Sequence, residues 1–196
     1  MSRADEDVRR EIASAAARLI ADGGLDYASA KSRAAQAAFG RRAPRAAIPN
    51  NDEIDAALRE HLELFDPGHD RRVAALREAA LELMDQLAEF RPLATGAVWK
   101  GIAAEHAPVH LQLFADNAKE VEYWLLNRRV EFEVGTIEHF RGRGEVPVLG
   151  LYWHDHPVLL SLYDADDLRG ALQAQRGDDA HRGDRHALAA RCQPAP

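Results

Sequence analysis

The sequence predicts an α+β protein, with a helical N-terminal half followed by a small mixed β-sheet. Three observations carry that prediction. Apolar residues recur at helical spacing from the N-terminus to about residue 90. From Thr95 onward the apolar period drops toward two, and β-branched and aromatic residues accumulate. The chain has 196 residues, 46% hydrophobic and 29% charged, which suits a globular protein with a real core.

Val8, Ile12, Ala15, Ala16, Leu19 and Ile20 share one face, so 5–22 reads as an amphipathic helix stopped by Gly23-Gly24. A second helix is predicted over 28–39, closed by Gly40, and the Pro-containing 41–50 reads as a loop. Asn50 or Asn51 can cap a third helix over 52–64, and Asp66-Pro67-Gly68 is a turn. Val73, Leu76, Ala80, Leu83, Leu87 and Phe90 form a continuous stripe, which predicts a fourth helix over 69–90. Strands are predicted at 95–100, 108–115, 129–135, 146–153 and 157–163. A helix interrupts them at 116–127, with Asp116 or Asn117 as its cap. His154-Asp155-His156 turns the last two strands into a hairpin. This divides the chain into a helical region, 1–92, a sheet region, 93–173, and a flexible tail, 174–196.

Composition narrows the function. A net charge of −7 argues against a protein that coats nucleic acid. No apolar run approaches the roughly 18 residues of a membrane span. The N-terminus lacks the apolar core of a signal peptide, so a cytoplasmic location is expected. The single Cys192 excludes an internal disulfide and a cysteine-based metal site. There is no Gly-x-Ser-x-Gly, P-loop or Rossmann fingerprint.

The chemistry-bearing stretch is Gly96-Ala97-Val98-Trp99-Lys100-Gly101, followed by Pro108-Val109-His110-Leu111-Gln112-Leu113. A small-residue turn between two apolar strands, with a Lys before its second Gly, reads as a phosphate cradle. A helix and the strand Val130-Glu131-Phe132-Glu133-Val134 follow. In this order of elements, 96–134 resembles the core of the nucleotidyltransferase superfamily, the DNA polymerase beta-like fold. The resemblance implies a nucleotide bound by the turn and two divalent ions held by three carboxylates. Carried over by position, Gly96 matches the family's Gly and Ala97 replaces its Ser. Lys100 and Gly101 match a basic residue and a second Gly. Pro108 and His110 stand where the family's two metal-binding Asp residues stand, and Glu131 or Glu133 stands near the third.

Pro108 cannot bind metal, and Mg²⁺ prefers oxygen to imidazole. The resemblance therefore implies a degenerate member that binds a nucleotide or a protein partner without transferring nucleotidyl groups. Its candidate nucleotide contacts are Gly96, Ala97, Lys100 and Gly101. Its candidate cofactor is a divalent metal ion at His110, Glu131 and Glu133. The enzyme alternative is a nucleotidyltransferase with a rebuilt metal site. Glu131 and Glu133 also alternate with apolar residues, as on any half-exposed strand.

A third reading comes from the N-terminus. The segment 11–24 is similar to the first helix of TetR-type regulators, with Lys31, Arg33, Arg41 and Arg42 nearby. The Ala-rich segment 34–39 looks like a packing helix rather than a recognition helix, so DNA is the disfavoured partner. The apolar stripes of the helical half also suggest a homodimer. Arg141-Gly142-Arg143-Gly144 is a basic loop that connects strands or clamps an anion. His154 and His156 can offer two metal ligands from a hairpin if a third comes from elsewhere.

Overall fold

The computed structural model describes residues 3–40, 43–173 and 181–192. It is α+β, helical in its N-terminal half, with a six-stranded mixed sheet after it. No described helix is long and apolar enough to cross a membrane. The chain forms two compact units: residues 1–72 with 102–106, and residues 73–101 with 107–196. The boundary thus falls near the start of the fourth helix rather than at residue 92.

In the first unit, α1 (Arg3–Gly23) packs against α2 (Tyr27–Phe39) and α3 (Asn51–Phe65). Ile12, Ala16, Ala17, Ala30, Ile54 and Leu58 are buried. Side-chain caps open α2 and α3. Asp26 accepts from the amides of Ala28 and Ser29 at the start of α2, and Gly40 closes it in the left-handed region. Asn50 and Glu53 form a reciprocal capping box on α3. Arg9 reaches the Glu53 carboxylate at 2.7 Å, tying α1 to that cap.

The second unit begins within α4 (His69–Gln86). This helix ends before the predicted residue 90. Ala88–Phe90 form a tighter 3₁₀ turn that stops at Arg91, which lies in the left-handed region, and the following Pro92 disfavours continued α-helix at residue 91. Next come β1 (Leu93–Thr95), α5 (Gly96–Lys100), β2 (Val109–Ala115) and α6 (Ala118–Asn127). They are followed by β3 (Phe132–Glu138), β4 (Glu145–Trp153), β5 (His156–Asp164), α7 (Asp167–Gln173), β6 (Arg182–Gly183) and α8 (Arg185–Ala190). The strand order is β3-β4-β5-β2-β1-β6, with β2 and β5 parallel and the other pairs antiparallel. His154 and Asp155 both have positive φ and make the two-residue β4–β5 turn.

Three predictions are corrected here. The strand expected at 95–100 is a short helix. Gly96 at φ +73° turns the chain out of β1, and the neighbours Val98 and Trp99 are both buried, which alternation does not allow. The strand expected at 129–135 starts three residues later. Arg129 is left-handed and the Val130 amide returns to the Leu125 carbonyl to finish α6. The flexible tail is built in part. β6 pairs with β1, Asp184 caps α8, and Leu188 is fully buried. Residues 174–180 and 193–196 lie outside the described residues.

Candidate functional site

The pairing register lays rows of side chains across the sheet. Glu133, Gly150, Leu159, His110, Thr95 and Arg182 are successive partners across all six strands. Partners directly opposite point to the same face. The next row on this face holds Gly135, Val148, Ser161, Gln112 and Leu93. Beyond it stand Phe114 and Tyr163, which join Leu93 and Ala171 of α7 in an apolar cluster. Phe140 and Leu168 pack on that cluster, so α7 and the β3–β4 loop cover this end of the face. The other end, from Glu133 to Arg182, keeps partial exposure.

Where covered and uncovered ends meet, the sheet carries a polar network. His110 Nε2 lies 2.5 Å from Ser161 Oγ, and Ser161 is wholly buried. Gln112 Nε2 donates to Tyr163 Oη at 3.4 Å. Gln112 Oε1 has no partner among the described residues, although the residue is only 4% exposed. Burial, together with the nearby Arg182 charge, pushes the His110 imidazole down to about 4, so it is neutral near pH 7. Burial pushes the Tyr163 phenol up, against the pull of Arg182. Arg182 itself stands 4.4 Å above the Phe140 ring, and burial lowers its pKa.

The β3–β4 loop is fastened beside this network. His139 is buried, its Nε2 3.0 Å from an Asp167 oxygen, and its Nδ1 accepts from the Arg141 amide. That second bond fixes the proton on Nε2, facing the carboxylate. The His139 ring meets Tyr163 edge-on at 5.2 Å.

The predicted site residues are only partly united. Gly96 and His110 are neighbours: a Cβ at residue 96 would stand 3.5 Å from the His110 Cβ. Ala97 follows Gly96 in α5, whereas Lys100 and Gly101 lie at the helix's other end, about 6 Å along its axis. Arg77 fills that end, donating to the carbonyls of Val98 and Trp99. The four candidate nucleotide contacts therefore stand at two ends of α5, Gly96 and Ala97 at one and Lys100 and Gly101 at the other.

The proposed metal set is separated too. Glu133 shares the row of His110 but stands three strand spacings away, about 14 Å. Glu131 precedes β3 and is exposed. The described residues contain no group of three potential ligands. His110 Nε2 is engaged by Ser161, and neither Glu131 nor Glu133 stands beside its ring. His110 and Ser161 also do not make a nucleophilic pair, because a hydroxyl with no exposure cannot meet a substrate.

Sequence reasoning missed Gln112, Tyr163, Thr95, Arg182 and the His139–Asp167 pair as members of one site. A signal existed for two pairs: His110 with Gln112, and Ser161 with Tyr163, each two apart on a strand. In the first unit, α2 buries Ala30, Ala34 and Ala35, and Lys31 donates to Asn51 Oδ1 at 2.9 Å. No protein-family model, curated protein or solved structure matches the chain.

Proposed function

We propose that the sheet-bearing unit is a degenerate nucleotidyltransferase-like module that binds a nucleotide on its uncovered sheet face and transfers no nucleotidyl group. The observation that carries this reading is His110. Phosphoryl-transfer chemistry of that superfamily's kind needs hard anionic oxygens around its ions. In their place stands a neutral imidazole, hydrogen-bonded inward to Ser161 and under the field of Arg182. A fixed guanidinium repels a divalent cation and attracts phosphate. The order strand, short helix, strand, helix, strand over β1 to β3 supports the same ancestry.

In this reading the phosphates face Arg182 and the backbone at Gly96, and the ring lies over Leu159 and Gly150. A side chain at position 150 would meet only Leu159 Cδ2, at 3.8 Å. The test is a melting-temperature series with ATP, CTP, GTP and UTP, each in EDTA and with Mg²⁺, Mn²⁺ or Zn²⁺. A nucleotide at ten times its Kd stabilises by about 1.4 kcal/mol, which raises Tm by about 3–5 °C in a chain of this size. The rise is expected in EDTA as well, and Arg182→Gln should reduce it. No rise with any nucleotide defeats the reading. Metal-dependent release of pyrophosphate in a turnover assay would establish the active transferase instead.

A further inference from the structure

One rim of the sheet is closed by the two-residue β6, and the other is the full seven-residue β3. β3 pairs residue for residue with β4 from Phe132 to Glu138, without a bulge. Among the described residues, no further strand pairs with β3 and no turn or loop backbone bond reaches its outer edge. Native edges are usually blunted by Pro, Lys, a bulge or a covering element. β3 contains neither Pro nor Lys, and Val134 is 65% exposed. Its charges have one sign: Glu131, Glu133 and Glu138 are all exposed, with no cation between them.

The flanking arginines are largely directed elsewhere. Arg128 lies 3.8 Å over the Trp124 ring, Arg143 Nη1 is 3.8 Å from an Asp167 oxygen, and Arg141 lies against Phe140 and Gly170. Arg129 stays in the turn that precedes Val130. Pairing of two copies along β3 therefore gathers six carboxylates, with no lysine or arginine within residues 131–138 of either strand, and like charges across a seam destabilise it.

We infer that the outer edge of β3 is a strand-addition site for an extended basic segment of another protein. The backbone ladder supplies affinity that any extended chain could share. Selectivity comes from the side chains. A Lys or Arg on one face of the incoming strand meets Glu133, with room left beside it by Gly135. An apolar residue on the opposite face meets Val134. Glu133 and Val134 lie on opposite faces of β3, so over 131–136 the partner alternates basic and apolar residues, while Glu138 at the strand's end shares the face of Val134. This inference stands apart from the nucleotide reading, since it uses the sheet's edge and not its face.

The test uses the full chain and two labelled octapeptides, one alternating Val with Lys and one alternating Val with Glu. Fluorescence anisotropy should show the Lys peptide binding at least about tenfold tighter at low salt, with the preference shrinking at 0.5 M NaCl. Amide exchange should slow at 132–138 on adding it and stay unchanged in β6. Glu131→Lys with Glu133→Lys, two substitutions at exposed positions, should reverse the preference while leaving Tm unchanged. Equal binding of both peptides, absence of binding, or protection elsewhere would overturn the inference. Protection of β3 that grows with protein concentration alone would give the edge to a second copy and overturn it too.

Discussion

The two compact units place most of their polar side chains differently. In the first, polar groups gather at helix starts, where backbone amides need partners: Asp26 on α2, Asn50 and Glu53 on α3. The seams between its helices are largely alanine and aliphatic carbon, with a part-buried polar pair across α2 and α3, Tyr27 Oη donating to Asp55 Oδ1. In the second, His110, Gln112 and Ser161 stand in mid-strand, where the ladder already satisfies the backbone. Nothing in the fold of the strands calls for those side chains. Burying them costs solvation, which only a matched set of hydrogen bonds offsets. Polar groups that secondary structure does not require point to chemistry, and this difference directs the functional reading to the sheet.

The comparison breaks hardest at the cores. Phe114→Ala should remove about 3–5 kcal/mol and Leu58→Ala about 2–5 kcal/mol. Both side chains are fully buried, Phe114 in the second unit and Leu58 in the first. Hydrogen exchange should show each loss concentrated in its own unit. Equal loss of protection throughout the chain after either substitution would mean that the two units open together.

A smaller effect isolates the sheet network. The His110 pKa falls from 6.5 in the unfolded chain to about 4 in the folded one. Below pH 6.5 the unfolded state takes up the proton that the folded state refuses. Stability thus falls as pH drops from 6.5 and levels out below 4, with a total loss of up to about 3 kcal/mol. His110→Gln removes this titration and keeps a hydrogen-bonding group near Ser161. The difference in urea-unfolding stability between wild type and His110→Gln should therefore shift toward the variant between pH 7 and pH 4. Parallel pH profiles would show that His110 titrates alike in both states.

What the sequence disclosed follows the same division. The helices at 5–22, 28–39 and 52–64 were legible because caps and apolar stripes are local, within four residues of one another. Strands β2, β4 and β5 were legible from alternation. The segment 95–100 was not, because the five residues Gly96–Lys100 are too short a run to show a helical period, and only the adjacent burial of Val98 and Trp99 in the fold decides for helix. The site was half legible. Gly96 beside His110 follows from the motif, yet Glu133 was assigned to the same ion because sequence distance does not reveal that two strands intervene. Arg182 was hidden in a segment whose composition reads as tail. Its place depends on β6 pairing with β1, a contact 87 residues away in sequence between Thr95 and Arg182.

That hidden contact gives the finest test, a pair of glycine substitutions with opposite signs. A Cβ at Gly183 would overlap the Trp99 ring and stand 3.0 Å from the Ala187 Cβ. Trp99 is 2% exposed and cannot swing aside, so Gly183→Ala should cost about 1–3 kcal/mol by overpacking. Gly150 lies in mid-strand, outside the left-handed region, and its added Cβ meets only Leu159 at ordinary contact distance. Gly150→Ala should therefore stabilise by about 0.4–1 kcal/mol, because it restricts the unfolded chain without straining the folded one. Urea midpoints of the two variants decide the matter. A neutral Gly183→Ala would mean that β6 does not press on Trp99, which would detach Arg182 from the sheet face. An alanine at 150 that stabilises the protein while weakening nucleotide binding would identify the glycine's role as leaving room for the ring.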